Sequence, residues 1–194
     1  MTASRGDSLE TAEGDLAPVD PLSGLADRDF FDAQLAAALA DPAVHETVGL
    51  IVLEIDQFEA LHEVHGHEGW DAVLVAVGRR VRERVRDAGV IARTGVNEIA
   101  IVVTDAPDST TVAALAERLR AALASTRLRA GSLRLRVTAS FGVAHSATSG
   151  PEPERLASVA DAALARSRAA GRNRVTSIAI DVAATLPQGM TIAK

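Results

Sequence analysis

Apolar and polar residues follow two different periods along the chain, and these periods predict helices and strands in a mixed order. Four segments carry apolar residues at every third or fourth position, a spacing typical of helices with one buried face. These segments are residues 27–40, 69–88, 109–125 and 154–170. Short β-branched runs predict five strands, at residues 48–55, 90–93, 98–103, 134–144 and 174–180. This order predicts an α/β (α+β) domain with a central mixed five-stranded sheet flanked by helices.

The two ends of the chain lack this periodicity. Residues 1–19 mix Ser, Gly, Thr and acidic residues and are predicted to form a disordered acidic arm, whereas residues 181–194 are predicted to form a flexible tail. We therefore place a single domain at residues 20–180. The first twenty residues carry five acidic side chains and one arginine, which is −4 of the net charge of −6. The domain itself is close to neutral.

Composition excludes several classes of function. No apolar run approaches the roughly 18 residues that span a bilayer, and no secretory pattern is present, so we expect a soluble cytoplasmic protein with no membrane partner. The absence of cysteine excludes thiolate zinc sites and a cysteine nucleophile. Neither the arm nor the domain has a clustered excess of basic residues, and aromatic residues are few, so we expect no nucleic-acid partner.

Six short motifs occur in the order and spacing of one bacterial signalling family. They are Asp20-Pro-Leu-Ser-Gly-Leu-Ala-Asp-Arg28, Glu54-Ile-Asp-Gln-Phe58, Gly66-His-Glu-Gly-Trp-Asp71, Arg93-Thr-Gly-Val-Asn-Glu-Ile99, Ser140-Phe-Gly-Val143 and the helix end from Ala160 to Asn173. Together they resemble the GGDEF domains, which make cyclic di-GMP from two GTP molecules. The resemblance covers residues 20–175 and implies the GGDEF, nucleotide-cyclase palm-like fold.

The resemblance also implies a metal site, and the residues at its positions are altered. The family places carboxylates that hold divalent cations at positions 54 and 97. Glu54 is one methylene longer than the family's Asp, and Asn97 offers a neutral oxygen in place of a charged one. Because divalent-ion affinity follows ligand charge, we expect Mg²⁺ to bind only weakly.

The nucleotide site implied by the resemblance is partly retained. Its retained or charge-conserving positions are Asp71, Gly95, Arg168 and Arg172, and Glu98 matches a carboxylate given a proton-accepting, catalytic role. His62 stands where the family has a base-reading Asn, and Trp70 replaces the family's Gly that precedes Asp71. Val96 replaces the second signature Gly, where it adds a side chain close to the expected phosphates. We therefore expect altered base recognition.

Each of these residues also has a simpler interpretation. Trp70 lies on the apolar stripe of its helix and serves core packing equally well, whereas Arg168 and Arg172 are equally consistent with surface charge. Glu98 is also consistent with an exposed charge at a strand edge. His62, His65 and His67 suggest a metal cluster, but their spacing is not the i, i+4 pattern of H-E-x-x-H, so we predict a solvated loop there.

The family's product-inhibition motif, R-x-x-D, falls on residues 86–89, where its Asp is Gly89. We thus predict a degenerate GGDEF domain of cyclic di-GMP-type signalling that is catalytically inactive and acts as a regulatory nucleotide-binding or protein-interaction module. Its expected partners are a weakly bound guanine nucleotide and a protein partner or second copy. The alternative is an atypical diguanylate cyclase, and only that alternative requires a cofactor, Mg²⁺.

Overall fold

A five-stranded mixed sheet forms the centre of the domain. The computed structural model describes residues 18–85, 89–125, 127–130 and 133–178. The sheet strands are β1 (Gly49–Ile55), β2 (Gly89–Arg93), β3 (Glu98–Val103), β6 (Ala139–His145) and β7 (Val175–Ser177), and β4 (Leu128–Ala130) pairs with β5 (Leu133–Leu135) in a separate hairpin. The helices are α1 (Arg28–Ala40), α2 (Phe58–Val85), α3 (Ser109–Ser125), α4 (Ser146–Ser149) and α5 (Pro153–Ala169), with a short 3₁₀ helix at His45–Thr47. The predicted mixed five-stranded sheet is confirmed.

Strand β1 lies in the middle of the sheet because it is apolar on both faces and therefore buried on both. The strand order is β2-β3-β1-β6-β7, in which only β7 runs parallel to its neighbour. The antiparallel register pairs Glu54 with Glu98 of β3 on one side and with Ser140 of β6 on the other. One end of the sheet therefore gathers polar residues from three strands.

The two faces of the sheet carry separate cores. Alternate residues of β1 point to opposite faces, so Ile51, Leu53 and Ile55 pack with α2 and α3, whereas Leu50 and Val52 pack with α1 and α5. By the same alternation Glu54 belongs to the face of α1 and α5. Among the described residues, no helix combines the length and the apolar character needed to cross a membrane.

Helix α2 begins eleven residues before the predicted position, so the prediction of a loop around the three histidines was wrong. Phe58 is buried and Leu61 packs against the core, which gives the first two turns an apolar side. Gly66 interrupts the helix with a φ of 66°. The sequence pattern failed here because the glycine breaks the helical period between two short apolar groups.

The predicted strand at 134–144 is divided in two. Residues 133–135 form β5 of the hairpin, whereas β6 of the main sheet begins only at Ala139. Strand β4 has three residues, too few to produce a recognisable alternation. The predicted tail at 181–194 and most of the acidic arm lie outside the described residues.

Candidate functional site at the strand ends

Two arginines fix the loop between β2 and β3 through hydrogen bonds to its backbone carbonyl groups. Arg93 donates from Nε to the carbonyl oxygen of Gly95 and from Nη2 to that of Val96, both at 3.0 Å. Arg28 donates to the carbonyl oxygen of Thr94 at 2.8 Å. The Val96 side chain lies at the tip and is 57% exposed, so it fills no part of the protein core. The loop thus presents a fixed backbone with an added branched side chain.

Arg93 also joins this loop to the N-terminal turn, residues 18–27. Its Nη1 lies 3.2 Å from Asp20, which accepts a second hydrogen bond from the backbone N–H of Ser23 at 2.7 Å. Partial burial opposes ionisation of Asp20, but the hydrogen bonds from Ser23 and the charge of Arg93 outweigh it and lower its pKa. The first family-like motif therefore positions the loop between β2 and β3, residues 94–97, which we call the signature loop.

Two of the predicted site carboxylates face each other at the ends of β1 and β3. Glu54 accepts a hydrogen bond from Nη1 of Arg168 at 2.6 Å, in an ion pair where the Arg168 side chain is 45% and the Glu54 side chain 21% exposed. Glu98 accepts a hydrogen bond from the hydroxyl of Thr94 at 2.6 Å. The structure therefore brings Glu54, Glu98 and Arg168 together, and we call these three residues the strand-end site.

A cleft of about 570 Å³ opens at the strand-end site between α1 and α5. Leu50, Val52 and Ala100 contribute to its apolar lining, and charged side chains line it as well. They include Glu54, Glu98, Asp161, Glu154, Asp32, Arg28 and Arg168. The cleft has the size of a small-molecule site, and carboxylates outnumber cations along it.

Asp161 is a site residue that the sequence reasoning missed. Partial desolvation and the negative charge of Glu98 raise its pKa, and the charge of Arg28 opposes this rise. Repulsion of this kind indicates that Asp161 and Glu98 share one patch of negative potential. The signal available in the sequence was its place beside Ala160 in the last family-like motif.

The residues at the expected metal positions do not fit a divalent cation as they stand. Nδ2 of Asn97 donates to the carbonyl oxygen of Ile55 at 3.4 Å, and since a carbonyl can only accept, the amide must present its nitrogen there. Glu54 is engaged by Arg168. Within the part of the chain that the structure describes, no three His, Cys, Asp or Glu side chains are placed to hold a metal ion together.

The predicted base-reading residues lie on α2, within the cluster of its aromatic side chains. The His62 ring lies 4.7 Å from the ring of His67 and 5.1 Å from that of Trp70. Trp70 also contacts Phe58 at 4.7 Å and packs against the core, as the simpler interpretation requires. His62 is thus half-buried against neighbouring rings, and Asp71, which follows on the same helix, is also half-buried.

A buried carboxylate, Asp56, positions the turn that carries Arg172. It accepts hydrogen bonds from the hydroxyls of Thr138 and Ser140, both at 2.7 Å, and from the backbone N–H of Asn173 at 3.0 Å. Arg172 itself has a positive φ of 62° and is exposed. Asp56 therefore connects the end of β1, the start of β6 and the end of α5, a role that its motif position did not reveal.

The product-inhibition motif is only partly within the described residues, since residues 86–88 lie outside them. Gly89 begins β2, and a Cβ added there would lie 1.7 Å from the carbonyl oxygen of Val102. No side chain fits at that distance without moving the strand. The acidic position of the motif is therefore closed to a carboxylate in this backbone.

Comparison with known proteins gives consistent results. The sequence profile described as "Diguanylate cyclase, GGDEF domain" matches residues 17–174. Diguanylate cyclase DgcP of Pseudomonas aeruginosa is 36% identical over 163 residues, which are 82% of this chain and 24% of DgcP. The chain likewise spans 45% of the length of the protein YhcK of Bacillus subtilis, so it covers less than half of these relatives.

Two solved structures share the fold. The coiled coil and GGDEF domain of DgcB from Caulobacter crescentus, solved in complex with c-di-GMP, matches with a TM-score of 0.74 and 30% identity over 82% of this chain and 85% of that one. The diguanylate cyclase SiaD of Pseudomonas aeruginosa, solved with its activator SiaC, matches with a TM-score of 0.73 and 26% identity over 82% and 61%. On the strength of its profile match, its motifs and its fold, this chain belongs to the GGDEF domain family.

Proposed function

We propose that this domain is a degenerate member of its family that no longer makes cyclic di-GMP and acts as a regulatory module through nucleotide or protein binding. The proposal is carried by one observation: the residues at both positions implied as metal ligands make contacts with other groups of the same chain. Glu54 is paired with Arg168, and Asn97 turns an amide N–H toward the carbonyl oxygen of Ile55.

The two contacts differ in weight. A partly exposed ion pair such as Glu54 with Arg168 contributes at most about 1 kcal/mol and can yield to a better ligand. Asn97 cannot yield in the same way, because an amide has no negative charge in any conformation. Loss of that charge lowers divalent-ion affinity whatever Glu54 does. The missing charge at Asn97 therefore contributes more to the proposed inactivity than the ion pair between Glu54 and Arg168 does.

The same pairing bears on nucleotide binding. Arg168 stands at the position of a phosphate-binding Lys in the family, and here Glu54 neutralises it. Arg172 is exposed four residues later and remains available to a phosphate. We expect weak, salt-sensitive binding of nucleoside triphosphates with little preference for guanine, because His62 and Trp70 replace the family's base-reading residues.

A specific observation favours the alternative of an atypical cyclase. Glu54 and Glu98 still face each other across the strand ends, and Glu98 keeps its carboxylate at the position given a catalytic role. Relatives such as DgcP carry the name diguanylate cyclase. In this alternative a longer Glu54 side chain would release Arg168 when GTP and Mg²⁺ arrive.

The experiment that separates these functions is incubation of the purified protein with GTP and Mg²⁺ or Mn²⁺, followed by mass spectrometry for cyclic di-GMP. We expect product at background even at high protein concentration. Turnover that disappears in Glu98→Ala would overturn the proposal.

A restored variant tests the cause of the inactivity. The triple change Glu54→Asp, Val96→Gly and Asn97→Asp is expected to gain Mn²⁺ binding by calorimetry, whereas the matched single change Val96→Gly is expected to gain none. Because Val96 is exposed, its replacement leaves the core intact. Equal metal affinity in the triple and single variants would show that the charge at position 97 is not the limiting factor.

The relatives suggest two classes of partner for this domain. DgcB was solved with c-di-GMP and SiaD with an activator protein, so a dinucleotide and a protein are both reasonable partners here. Titration with GTP, ATP and cyclic di-GMP, followed by NMR, distinguishes them. Absence of any shift for all three nucleotides would leave protein binding as the function, either to another protein or to a second copy.

A further inference from the structure

The hairpin of β4 and β5 carries four arginines on its outer face. Arg129 and Arg134 are direct partners in the antiparallel register, and Arg127 and Arg136 flank the two strands at their open end, directly before β4 and directly after β5. All four are exposed, whereas the apolar residues that alternate with them pack on the core. We call this structure the arginine hairpin. The alternation with apolar residues hides the cluster in the sequence, and only strand pairing brings the charges together.

Within the part of the chain that the structure describes, these arginines form no ion pair. Among the described residues, the salt bridges involve Arg28, Arg93, Arg120 and Arg168, and none involves the arginine hairpin. Cross-strand side chains lie roughly 5 Å apart at their Cβ atoms, and like charges at that distance are destabilising. Folding therefore creates a local positive surface on an otherwise acidic protein, and an anionic partner would relieve its repulsion.

Residues 1–17 of the same chain have the complementary composition. They carry Asp7, Glu10, Glu13 and Asp15 against a single arginine, Arg5. Carboxylates are well matched to guanidinium groups, with which they form paired hydrogen bonds. The arginine hairpin and residues 1–17 thus carry charges of opposite sign and similar size within one molecule.

The N-terminal turn, to which residues 1–17 are attached, and the arginine hairpin contact the same helix, α2. The carbonyl oxygen of Pro18 accepts a hydrogen bond from the N–H of Asp27, and the adjacent Leu25 packs on Gly78 of α2. The hairpin reaches the same helix at Gly69 through Leu133. Nine residues of helix correspond to about 14 Å along the axis. A 17-residue chain extends to roughly 60 Å, which is ample for this distance.

We propose that residues 1–17 dock through their carboxylates onto the arginine hairpin of the same molecule. Tethering raises the effective concentration of the acidic segment to the millimolar range, so weak contacts suffice and a free polyanion must compete with it. The large exposed apolar residues of the described chain are Val19, Val64, Val75 and Val96, none of them on the hairpin, which argues against insertion into a membrane. The attraction is electrostatic and is screened by salt.

Paramagnetic broadening tests the docking directly. Because the chain has no cysteine, Ser8→Cys provides a single site for a nitroxide label in the full-length protein. We expect the amide signals of Leu128, Ala130, Leu133 and Leu135 to lose intensity at low salt and to regain it at about 0.5 M salt. The broadening is expected to disappear in Arg129→Gln/Arg134→Gln. A matched control, Arg155→Gln/Arg166→Gln, removes two charges from α5 on the opposite face of the sheet and is expected to retain it.

Several results would overturn the docking. They include absence of broadening in a folded, labelled protein, or broadening that persists in the Arg129→Gln/Arg134→Gln variant. Broadening seen only when labelled protein is mixed with isotope-enriched, unlabelled protein would assign the contact to a second copy. A short oligothymidylate that shifts the hairpin amides equally in the wild type and in a variant with all four acidic residues of 1–17 changed to amides would assign the surface to nucleic acid.

Discussion

Glu54 and Asp56 stand one residue apart at the end of β1 and serve different purposes. Strand β1 ends at Ile55, and Gln57 has a positive φ of 55°, so the chain turns and buries Asp56 beneath three donors. Glu54 is the single carboxylate of the strand and pairs with Arg168 in the cleft between α1 and α5. Of these two carboxylates, only Glu54 therefore contributes its charge to the strand-end site.

Replacement of Glu54 by Gln is expected to tighten the binding of GTP and ATP by up to about fivefold, because it frees Arg168 from its ion pair. The measurement is NMR or calorimetric titration with and without Mg²⁺. Glu154→Gln removes another carboxylate from the same cleft and is expected to change affinity less. If Glu54 were a functional metal ligand, Glu54→Gln would instead weaken GTP binding in the presence of Mg²⁺.

Replacement of Asp161 by Asn is expected to stabilise the protein at pH 7. Partial desolvation and Glu98 raise the pKa of Asp161 above its usual 3.8, so its ionised form is disfavoured in the folded state. Asp161 therefore lowers the free energy of unfolding as pH rises from 3.8 through the raised pKa. Below pH 3.8 the carboxyl is protonated in both the folded and unfolded states, and it has no such effect. Urea unfolding should therefore favour Asp161→Asn at pH 7 but not at lower pH than 3.8. A loss of stability at pH 7 would contradict the argument.

At the level of elements, the closest packing joins α5 to β6. A Cβ added at Gly142 would lie 2.0 Å from the carbonyl oxygen of Ala160 and 2.4 Å from the amide nitrogen of Leu164. The helix backbone thus lies directly on the strand. This contact sets the height of α5 above the sheet and so the position from which Arg168 reaches Glu54.

Gly142→Ala is expected to lower the free energy of unfolding by about 3 kcal/mol, because the added methyl meets backbone that cannot move by itself. Gly66→Ala is the comparison, since its Cβ would meet nothing within 4 Å and only the φ of 66° is strained. That change should cost about 1 to 3 kcal/mol from backbone strain alone, because a φ of 66° with a ψ of −172° is nearly restricted to glycine. Urea unfolding measures both losses, and a loss below about 1 kcal/mol for Gly142→Ala would show that its close approach relaxes easily.

Across the whole molecule, the N-terminal turn closes the edge of the sheet next to the signature loop. Ala26 bridges to Ala92 of β2, and Asp20 pairs with Arg93. Two segments 73 residues apart, as measured between Asp20 and Arg93, are thereby joined at one end of the sheet. The charge of Asp20 consequently contributes to stability and to the position of the loop.

Asp20→Asn is expected to reduce stability at pH 7 by about 2 kcal/mol, the contribution typical of hydrogen bonds to a charged group. The pKa of Asp20 is lowered from 3.8, so this stability is present above pH 3.8 and is lost as pH falls through the lowered pKa. Urea unfolding should show a difference at neutral pH that disappears in strong acid. Asp32→Asn, which alters an exposed ion pair with Arg28, should show little change at either pH. A difference for Asp20→Asn that persists in acid would show that charge is not the cause.

The sequence by itself determined the class of fold, the order of the five main-sheet strands and the four long helices, and the residue chemistry at positions 54, 96 and 97. These features are local, because a hydrophobic period reports which face of an element is buried and a residue type fixes its charge. The motifs placed Glu98, Arg168 and Asp71 in a family context for the same reason.

The tertiary structure alone decided which distant residues meet. It gave Glu54 its partner 114 positions away, added Asp161 to the cleft, divided residues 134–144 between two sheets and aligned the four arginines of the hairpin. The register of the strands and the distance of each helix from the sheet decide these contacts. Both depend on the packing of the entire core. No local period carries that information, because the free energy that selects one register is summed over the two cores together.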